Sequence, residues 1–196
     1  MKICLVRHGE TDWNSIGRFQ GRENIPLNET GIKQVQNAVS YFKASAWNEI
    51  ITSPLARAKM SAEIIGREIG LTVIHEDPGL VERDYGKLSG MTKEEAKKIF
   101  PDENYEGMES LDALSNRVMD TLVKWTNKFH GKNIIIMTHG AVINSILTNL
   151  SGNKIEMGKA ILKNAGITLL EKQGDTINIV SYNKEETLHP AFASPE

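Results

Sequence analysis

Residues 2–11 read KICLVRHGET, and this stretch decides the fold. The apolar run at 3–6 predicts a buried β-strand over residues 2–7. The polar, glycine-containing residues that follow predict that the chain leaves the sheet at this strand's carboxyl end. Polar residues and glycines, with Pro26, continue to Asn28 and predict a long loop. Long loops in compact domains are usually functional, so the first strand is expected to lead into a functional segment.

A second strand ends in a similar way. Residues 133–138 form a continuous apolar run, typical of a strand that is covered on both faces, and His139-Gly140 follow it. The remaining pattern predicts strands at 49–52, 71–75, 165–171 and 176–182, and helices at about 31–43 (capped by Thr30), 53–70 (opened by Ser53-Pro54), 92–100, 110–130 and 141–150. This alternation predicts an α/β fold, a three-layer α/β/α sandwich. The late hairpin makes the sheet mixed, although mostly parallel.

Composition narrows the class of protein. The chain has 196 residues, 40% hydrophobic and 24% charged, with a formal net charge of −2. We expect a single domain over 1–196 with a flexible tail at 183–196. The weak net charge provides no basic field for nucleic acid, and the run after Lys2 is too short for a signal peptide or a membrane span. We therefore expect a cytoplasmic protein with neither a nucleic-acid nor a membrane partner, and the oligomeric state is left open.

Cys4 is the single cysteine, which excludes a disulfide scaffold and a cysteine-built zinc site. A metal reading of His8, Glu10 and His139 matches no ligand spacing. The sequence therefore predicts no metal site and no cofactor.

The two strand ends carry the candidate chemistry. His8 and His139 each follow a strand and precede a glycine, and ligands of open α/β sheets bind beyond the carboxyl ends of strands. Arg7, and Arg57 one turn into the predicted helix after residues 49–52, provide planar guanidinium groups suited to a phosphate. We therefore expect one pocket that takes an anionic substrate.

Glu82 is the candidate proton donor. It lies in the irregular loop 78–90, where a carboxylic acid can protonate a leaving alkoxide. Asp84 is a rival acid in the same loop. The residues thus predict two arginines, two histidines and one carboxyl group in one site.

These motifs resemble the histidine phosphatase superfamily, in the branch that contains the cofactor-dependent phosphoglycerate mutases. The resemblance rests on RHGET at 7–11 with Asn14, Gly17-Arg18 with Gln20-Gly21, Pro26-Leu27 with Gly31, SPLARA at 53–58, ERDYG at 82–86 with Gly90, Glu109-Ser110 with Arg117, and THG at 138–140. It covers residues 3 to about 150. Asp84 does not fit the family's acid position, whereas Glu82 does.

The resemblance implies a role for each site residue. His8 is the nucleophile that forms a phosphohistidine, and Glu82 donates a proton to the leaving group. The phosphoryl group is bound by Arg7, Arg57 and His139. The further substrate-binding positions are Asn14, Gln20, Gly21 and Gly140. His8 must be unprotonated and His139 serves best as a cation, so we expect their surroundings to differ.

The implied function is a metal-independent phosphatase that hydrolyses small phosphate monoesters. A phosphoglycerate mutase is the first alternative. Mutases of the family tend to be longer, with an extra segment after the acid loop, where this chain has a short helix and the loop Pro101–Met108. The segment GAVINS after His139 also departs from the mutase pattern. A non-catalytic binding module is the second alternative, and the presence of all five core positions counts against it.

Overall fold

A computed structural model describes residues 1–102 and 105–184, with the backbone alone for residues 183 and 184. The elements are β1 (Lys2–Arg7), α1 (Asp12–Ser15), α2 (Glu29–Lys43), β2 (Glu49–Thr52), α3 (Ala56–Ile69), β3 (Ile74–Glu76), α4 (Lys93–Ile99), α5 (Leu111–Lys128), β4 (Ile134–Thr138), α6 (Gly140–Leu150), β5 (Ile167–Gln173) and β6 (Thr176–Lys184). Two 3₁₀ turns, Pro78–Leu80 and Gly86–Leu88, lie in the loop between β3 and α4.

The strands form one six-stranded sheet in the order β3-β2-β4-β1-β5-β6. β1, β2, β3 and β4 run parallel, and β5 and β6 are antiparallel to their neighbours. The predicted mostly parallel mixed sheet is confirmed. β1 and β4 are adjacent at the centre, so their carboxyl ends open side by side.

Alternation along the central strands builds a core on each face of the sheet. Ile3 and Leu5 of β1 pack with side chains of α5 and α6, whereas Cys4 and Val6 pack with those of α2 and α3. All four are fully buried because successive strand side chains point to opposite faces. The result is the predicted α/β/α sandwich, with Cys4 as a buried small apolar side chain whose pKa is raised by burial.

Several predicted boundaries are wrong for local reasons. α2 is capped by Asn28 and not by Thr30, because the Asn28 side chain accepts the Gly31 N–H at 2.8 Å. α3 begins at Ala56 and not at Ser53, and its N-cap residue Leu55 has no side chain that can cap the helix. β3 spans Ile74–Glu76 and not 71–75.

Two further expectations need correction or fall outside the structure. The loop at 8–28 contains the helical turn α1, which begins with a capping box between Thr11 and Asn14. The predicted tail at 183–196 begins two residues too early, because β6 runs to Lys184. The rest of the predicted tail, 185–196, lies outside the described residues. Within the described ranges, no helix is long and apolar enough to cross a membrane.

Candidate active site

The two histidines meet at the centre of the sheet. Arg7 and Thr138 are register partners on β1 and β4, so the next residue of each strand, His8 or His139, leaves the sheet beside the other. Their ring centroids are 5.2 Å apart with planes at 59°. Both side chains are buried, His8 to 3% exposure and His139 to 0%. The strand-end rule therefore places these two residues together correctly.

The backbone fixes the tautomer of His8. Nδ1 of His8 lies 2.6 Å from the carbonyl oxygen of Gly9, and a carbonyl only accepts, so Nδ1 carries the hydrogen. Nε2 is left with its lone pair. Burial first, then the charges of Arg57 and Arg7, hold the pKa of His8 well below its ordinary value. His8 is therefore a neutral imidazole with an unprotonated Nε2 at neutral pH.

A close backbone approach positions the segment after His8. A Cβ atom built on Gly9 would lie 2.4 Å from the Gly31 carbonyl oxygen, and one built on Gly31 would lie 2.1 Å from the Glu10 carbonyl oxygen. These glycines let the start of α2 pack directly on the loop that carries His8. The Gly9 N–H also donates to the Ser61 hydroxyl at 3.2 Å.

His139 is held by Ser53, a contact that sequence reasoning missed. Nε2 of His139 lies 2.8 Å from Oγ of the buried Ser53, which follows β2 and also accepts the Leu55 N–H at 3.3 Å. Burial and the charge of Arg57 hold the pKa of His139 well below its ordinary value. Burial and the charge of Arg57 thus lower the pKa of both histidines, and the two rings differ in their hydrogen-bond partners, Gly9 for His8 and Ser53 for His139.

Arg7 and Arg57 provide positive charge beside His8, from a half-buried and a fully buried side chain. Arg57 is fully buried and donates to the carbonyl oxygens of Glu23 at 2.6 Å and Gly21 at 2.8 Å. Arg7 donates to the Leu162 carbonyl oxygen. Burial lowers the pKa of both groups, that of Arg57 to about 10, so both remain cations at neutral pH.

Three nitrogens of this group make no hydrogen bond within the described ranges. They are buried, and they are Nε of Arg7, Nε of Arg57 and Nδ1 of His139. The two guanidinium Nε–H groups are donors, and a buried donor without a partner costs about 1–3 kcal/mol, so an acceptor supplied by a bound anion would stabilise the site. A phosphoryl group has several such acceptor oxygens.

Glu82, on the loop after the first 3₁₀ turn, lines the same cavity as His8. Its carboxylate oxygens lie 3.2 and 3.3 Å from the Ala141 N–H at the start of α6, and Oε1 also accepts the Arg83 N–H at 2.9 Å. Asp84 instead accepts the Gly86 N–H at 2.8 Å and lies 3.6 Å from Arg22. Geometry therefore favours Glu82 over the rival acid.

Arg117 braces the loop that carries Glu82. It donates to the carbonyl oxygens of Gly79 and Val81 at 2.8 and 2.9 Å. It also forms a two-pronged pair with Glu109 at 2.9 and 2.8 Å. The residue before Glu82 is thus tied to α5 by a side chain that is itself fixed.

These side chains surround a cavity of about 160 Å³. It is lined by Arg7, His8, Asn14, Arg18, Phe19, Gln20, Gly21, Arg57, Glu82 and Tyr85. Seven of these were predicted. Arg18, Phe19 and Tyr85 were not assigned as site residues, although Arg18 and Phe19 directly precede the predicted Gln20 and Tyr85 lies three residues after Glu82.

The other predicted positions lie around this cavity. His139 packs against His8 behind it, and Gly140 lines an adjoining cavity of about 650 Å³. The Asn14 amide oxygen lies 3.2 Å from the Thr11 N–H and 3.3 Å from Asn164 Nδ2, which leaves its NH₂ group for the cavity. Gly21 has φ +52° and its carbonyl holds Arg57, so its contribution is to position that arginine.

A metal site formed by His8, Glu10 and His139 is not supported by the positions of these side chains. Glu10 accepts from the Asn28 amide at 3.0 Å, at the start of α2. In the part of the chain that the structure describes, no group of three or more histidine, cysteine or acidic side chains could hold a metal ion.

In this α/β/α sandwich a histidine, two arginines and a carboxyl group line one small cavity, and a second histidine packs against the first. This is the arrangement of an enzyme that acts on phosphate esters. The family described as histidine phosphatase superfamily (branch 1) matches residues 3–185. The chain belongs to the histidine phosphatase superfamily, and the predicted family, fold and phosphatase class are confirmed.

Individual relatives agree with this assignment. The chain is 42% identical over 181 residues to the uncharacterized phosphatase PhoE of Bacillus subtilis (strain 168), covering 92% of this chain and 93% of that protein. It is 37% identical over 163 residues to a metal-independent phosphoserine phosphatase of Arabidopsis thaliana, covering 76% and 68%. A phosphoserine phosphatase mutant from Entamoeba histolytica, solved in complex with phosphoserine, superposes with a TM-score of 0.82 at 29% identity, covering 96% of this chain and 99% of that one.

Proposed function

We propose that this chain hydrolyses phosphate monoesters through a phosphoryl group carried on Nε2 of His8. The observation that carries the proposal is the hydrogen bond from His8 Nδ1 to the Gly9 carbonyl oxygen, 2.6 Å long, in a cavity also lined by Arg7, Arg57 and Glu82. It leaves Nε2 neutral and nucleophilic. Phosphoserine is the first substrate to test, because one relative is named a phosphoserine phosphatase and another is solved in complex with phosphoserine.

In the first step the Nε2 lone pair of His8 attacks phosphorus and the bond to the leaving oxygen breaks. Glu82, entering the step as the carboxylic acid, gives its proton to that oxygen. The product alcohol leaves, and His8 carries the phosphoryl group on a cationic ring. Covalent catalysis of this kind divides one difficult displacement into two easier ones.

In the second step water attacks phosphorus on the opposite side from Nε2. The Glu82 carboxylate takes a proton from the water, the bond between nitrogen and phosphorus breaks, and inorganic phosphate leaves. His8 returns to the neutral imidazole and Glu82 to the carboxylic acid. The two steps therefore close a hydrolytic cycle without any further reactant.

The cationic groups stabilise the charge on the transferring phosphoryl group. Arg7 and Arg57 direct their unpaired Nε–H groups to its oxygens, and His139 uses Nδ1, since Ser53 occupies its Nε2. A phosphoryl dianion also raises the pKa of a histidine beside it, so His139 acquires its cationic form when substrate binds. Such preorganised charge is usually the largest contribution to phosphoryl transfer.

The test compares phosphate release from phosphoserine by the parent and by His8→Ala. The proposal expects turnover without added metal by the parent and none above background by the variant. His130→Ala, at an exposed histidine, is the matched control and keeps full activity. Equal turnover by His8→Ala and the parent contradicts the proposal. A coupled mutase assay on the same enzyme distinguishes the mutase alternative, which predicts transfer to phosphoglycerate far faster than hydrolysis.

A further inference from the structure

A second cavity of about 650 Å³ adjoins the catalytic one. The two share Arg7, Glu82 and Tyr85 as lining residues. Since Glu82 is the proposed proton donor to the leaving oxygen, the leaving group has to extend past it. The larger cavity is therefore the space into which the leaving group passes, a conclusion that rests on the proposed function.

Part of the lining of this cavity is apolar, and Arg83, Lys93 and Asn144 also line it. Leu111 at the start of α5, Met157, Ile161 and Leu162 all line it. Ile161 is 81% exposed and Leu111 is 46% exposed, and both belong to the large hydrophobic side chains that the fold leaves in solvent. Single exposed apolar residues are ordinary, but these come from separate segments and meet at one cavity beside the catalytic groups.

The backbone holds Ile161 at this position. The carbonyl of the residue before it, Ala160, accepts from Asn144 Nδ2 at 3.2 Å. The carbonyl of the residue after it, Leu162, accepts from Arg7. Hydrogen bonds thus fix the backbone on both sides of Ile161, and one of them comes from Arg7, a proposed phosphoryl-binding residue. The exposed side chain of Ile161 is therefore held next to the catalytic cavity.

We propose that the leaving group of the preferred substrate carries an apolar portion, which packs against Ile161, Leu111 and Met157 while its phosphoryl group occupies the catalytic cavity. The substrate class is a phosphate monoester of an alcohol with an extended apolar part. Serine carries polar groups next to the ester oxygen, so as the leaving group of phosphoserine it packs less well against this apolar surface. The alternative is that Ile161 contacts a macromolecular partner, in which case the hydrolysis rate should not depend on the apolar length of the substrate.

The experiment measures kcat/KM for the n-alkyl phosphates from ethyl to hexyl phosphate, with phosphoserine as a polar comparator. The primary alcohols have nearly equal acidity, so chain length changes apolar contact and little else. A buried methylene is worth ~0.8 kcal/mol, and 1.36 kcal/mol is a factor of ten. We expect kcat/KM to rise about two- to fourfold per methylene, chiefly through KM, and hexyl phosphate to be preferred over phosphoserine.

Ile161→Ser tests the surface directly, because the side chain is exposed and its loss removes little core packing. We expect about a tenfold loss in kcat/KM on hexyl phosphate and a much smaller loss on ethyl phosphate, which has less apolar surface to contact residue 161. Val73→Ser, at a β-branched residue that is 64% exposed before β3, is the matched control and leaves the whole series unchanged.

The outcomes separate this inference from the function it rests on. The apolar subsite is overturned if kcat/KM does not vary with chain length, or if Ile161→Ser leaves the dependence on chain length intact. In either case, loss of ethyl phosphate hydrolysis in His8→Ala still supports the proposed function. Hydrolysis of ethyl phosphate that persists in His8→Ala overturns both.

Discussion

The Nδ1 atom of His8 donates to the carbonyl oxygen of Gly9 over 2.6 Å, a contact between neighbouring residues. It decides which ring nitrogen can react, because the carbonyl accepts only from a protonated Nδ1. The same turn requires Gly9, since a Cβ there would meet the Gly31 carbonyl oxygen at 2.4 Å. The nucleophile and its tautomer are therefore products of one strand-to-loop turn.

Both buried histidines make stability depend on pH. Their folded-state pKa values lie well below the ordinary value, so at acidic pH the unfolded chain binds more protons than the native one. Stability is retained above about pH 6.5 and is lost as the pH falls below it. Urea unfolding between pH 7.5 and 5 should show this loss. His139→Gln should reduce the slope by up to about 1.4 kcal/mol per pH unit, and an unchanged slope contradicts the pKa assignment.

Glu82→Gln should affect substrates according to their leaving groups. An alkoxide needs a proton as it departs, whereas p-nitrophenolate does not. The variant should therefore lose about 10²–10⁴-fold in kcat/KM on ethyl phosphate and much less on p-nitrophenyl phosphate.

Asp84→Asn is the matched control for this prediction, since Asp84 lies in the same loop but bonds to Gly86. It should retain the parental ratio between the two substrates. An equal loss on both substrates in Glu82→Gln would show that Glu82 is not the proton donor to the leaving group.

Ser53→Ala should impair catalysis through His139. The change removes the hydroxyl that lies 2.8 Å from Nε2 of His139 and leaves that nitrogen buried without a partner. We expect kcat to fall on the order of tenfold or more, with a shifted pH profile and a small change in KM. Ser53→Thr keeps a hydroxyl and should recover part of the loss. A Thr variant as impaired as the Ala variant, at equal stability, argues against the positioning role.

Arg57→Lys should weaken binding of the phosphoryl group while keeping the charge. Lysine lacks the planar fork that donates both to Gly21 and Glu23 and to a ligand. We expect inorganic phosphate, measured as a competitive inhibitor, to bind at least about tenfold more weakly. Arg67→Lys, on the last turn of α3, is the control. Unchanged inhibition in Arg57→Lys would remove Arg57 from the phosphoryl site.

The meeting of the catalytic groups was predictable from the sequence because it follows from topology. Two apolar runs that each end in His-Gly predict parallel neighbours, and parallel neighbours bring His8 and His139 to one edge. Arg57 follows a third parallel strand for the same reason. Glu82 lies on an irregular loop, so its assignment came from the family resemblance and its position from the structure.

Contacts that depend on three-dimensional packing were not predictable. Ser53 reads as a helix cap in the sequence, yet its hydroxyl faces His139 because β2 and β4 are adjacent. Asn28 and not Thr30 is the N-cap of α2. Both residue types are favoured at N-caps, so the sequence alone does not show which of the two begins the helix. Ile161 lies in a segment without regular periodicity, so nothing in the sequence placed it beside the catalytic cavity.

The central claim is tested most directly by trapping the phosphorylated enzyme. The enzyme is mixed with excess substrate, and the reaction is stopped within the first turnovers in alkaline denaturant, which preserves phosphohistidine. Its peptides are then analysed by mass spectrometry, and NMR identifies the nitrogen that carries the phosphoryl group. The account predicts one phosphoryl group on the peptide containing His8, bonded to Nε2 and absent from His8→Ala. Phosphorylation of His139 or another residue, or of Nδ1 of His8, during full turnover would contradict it.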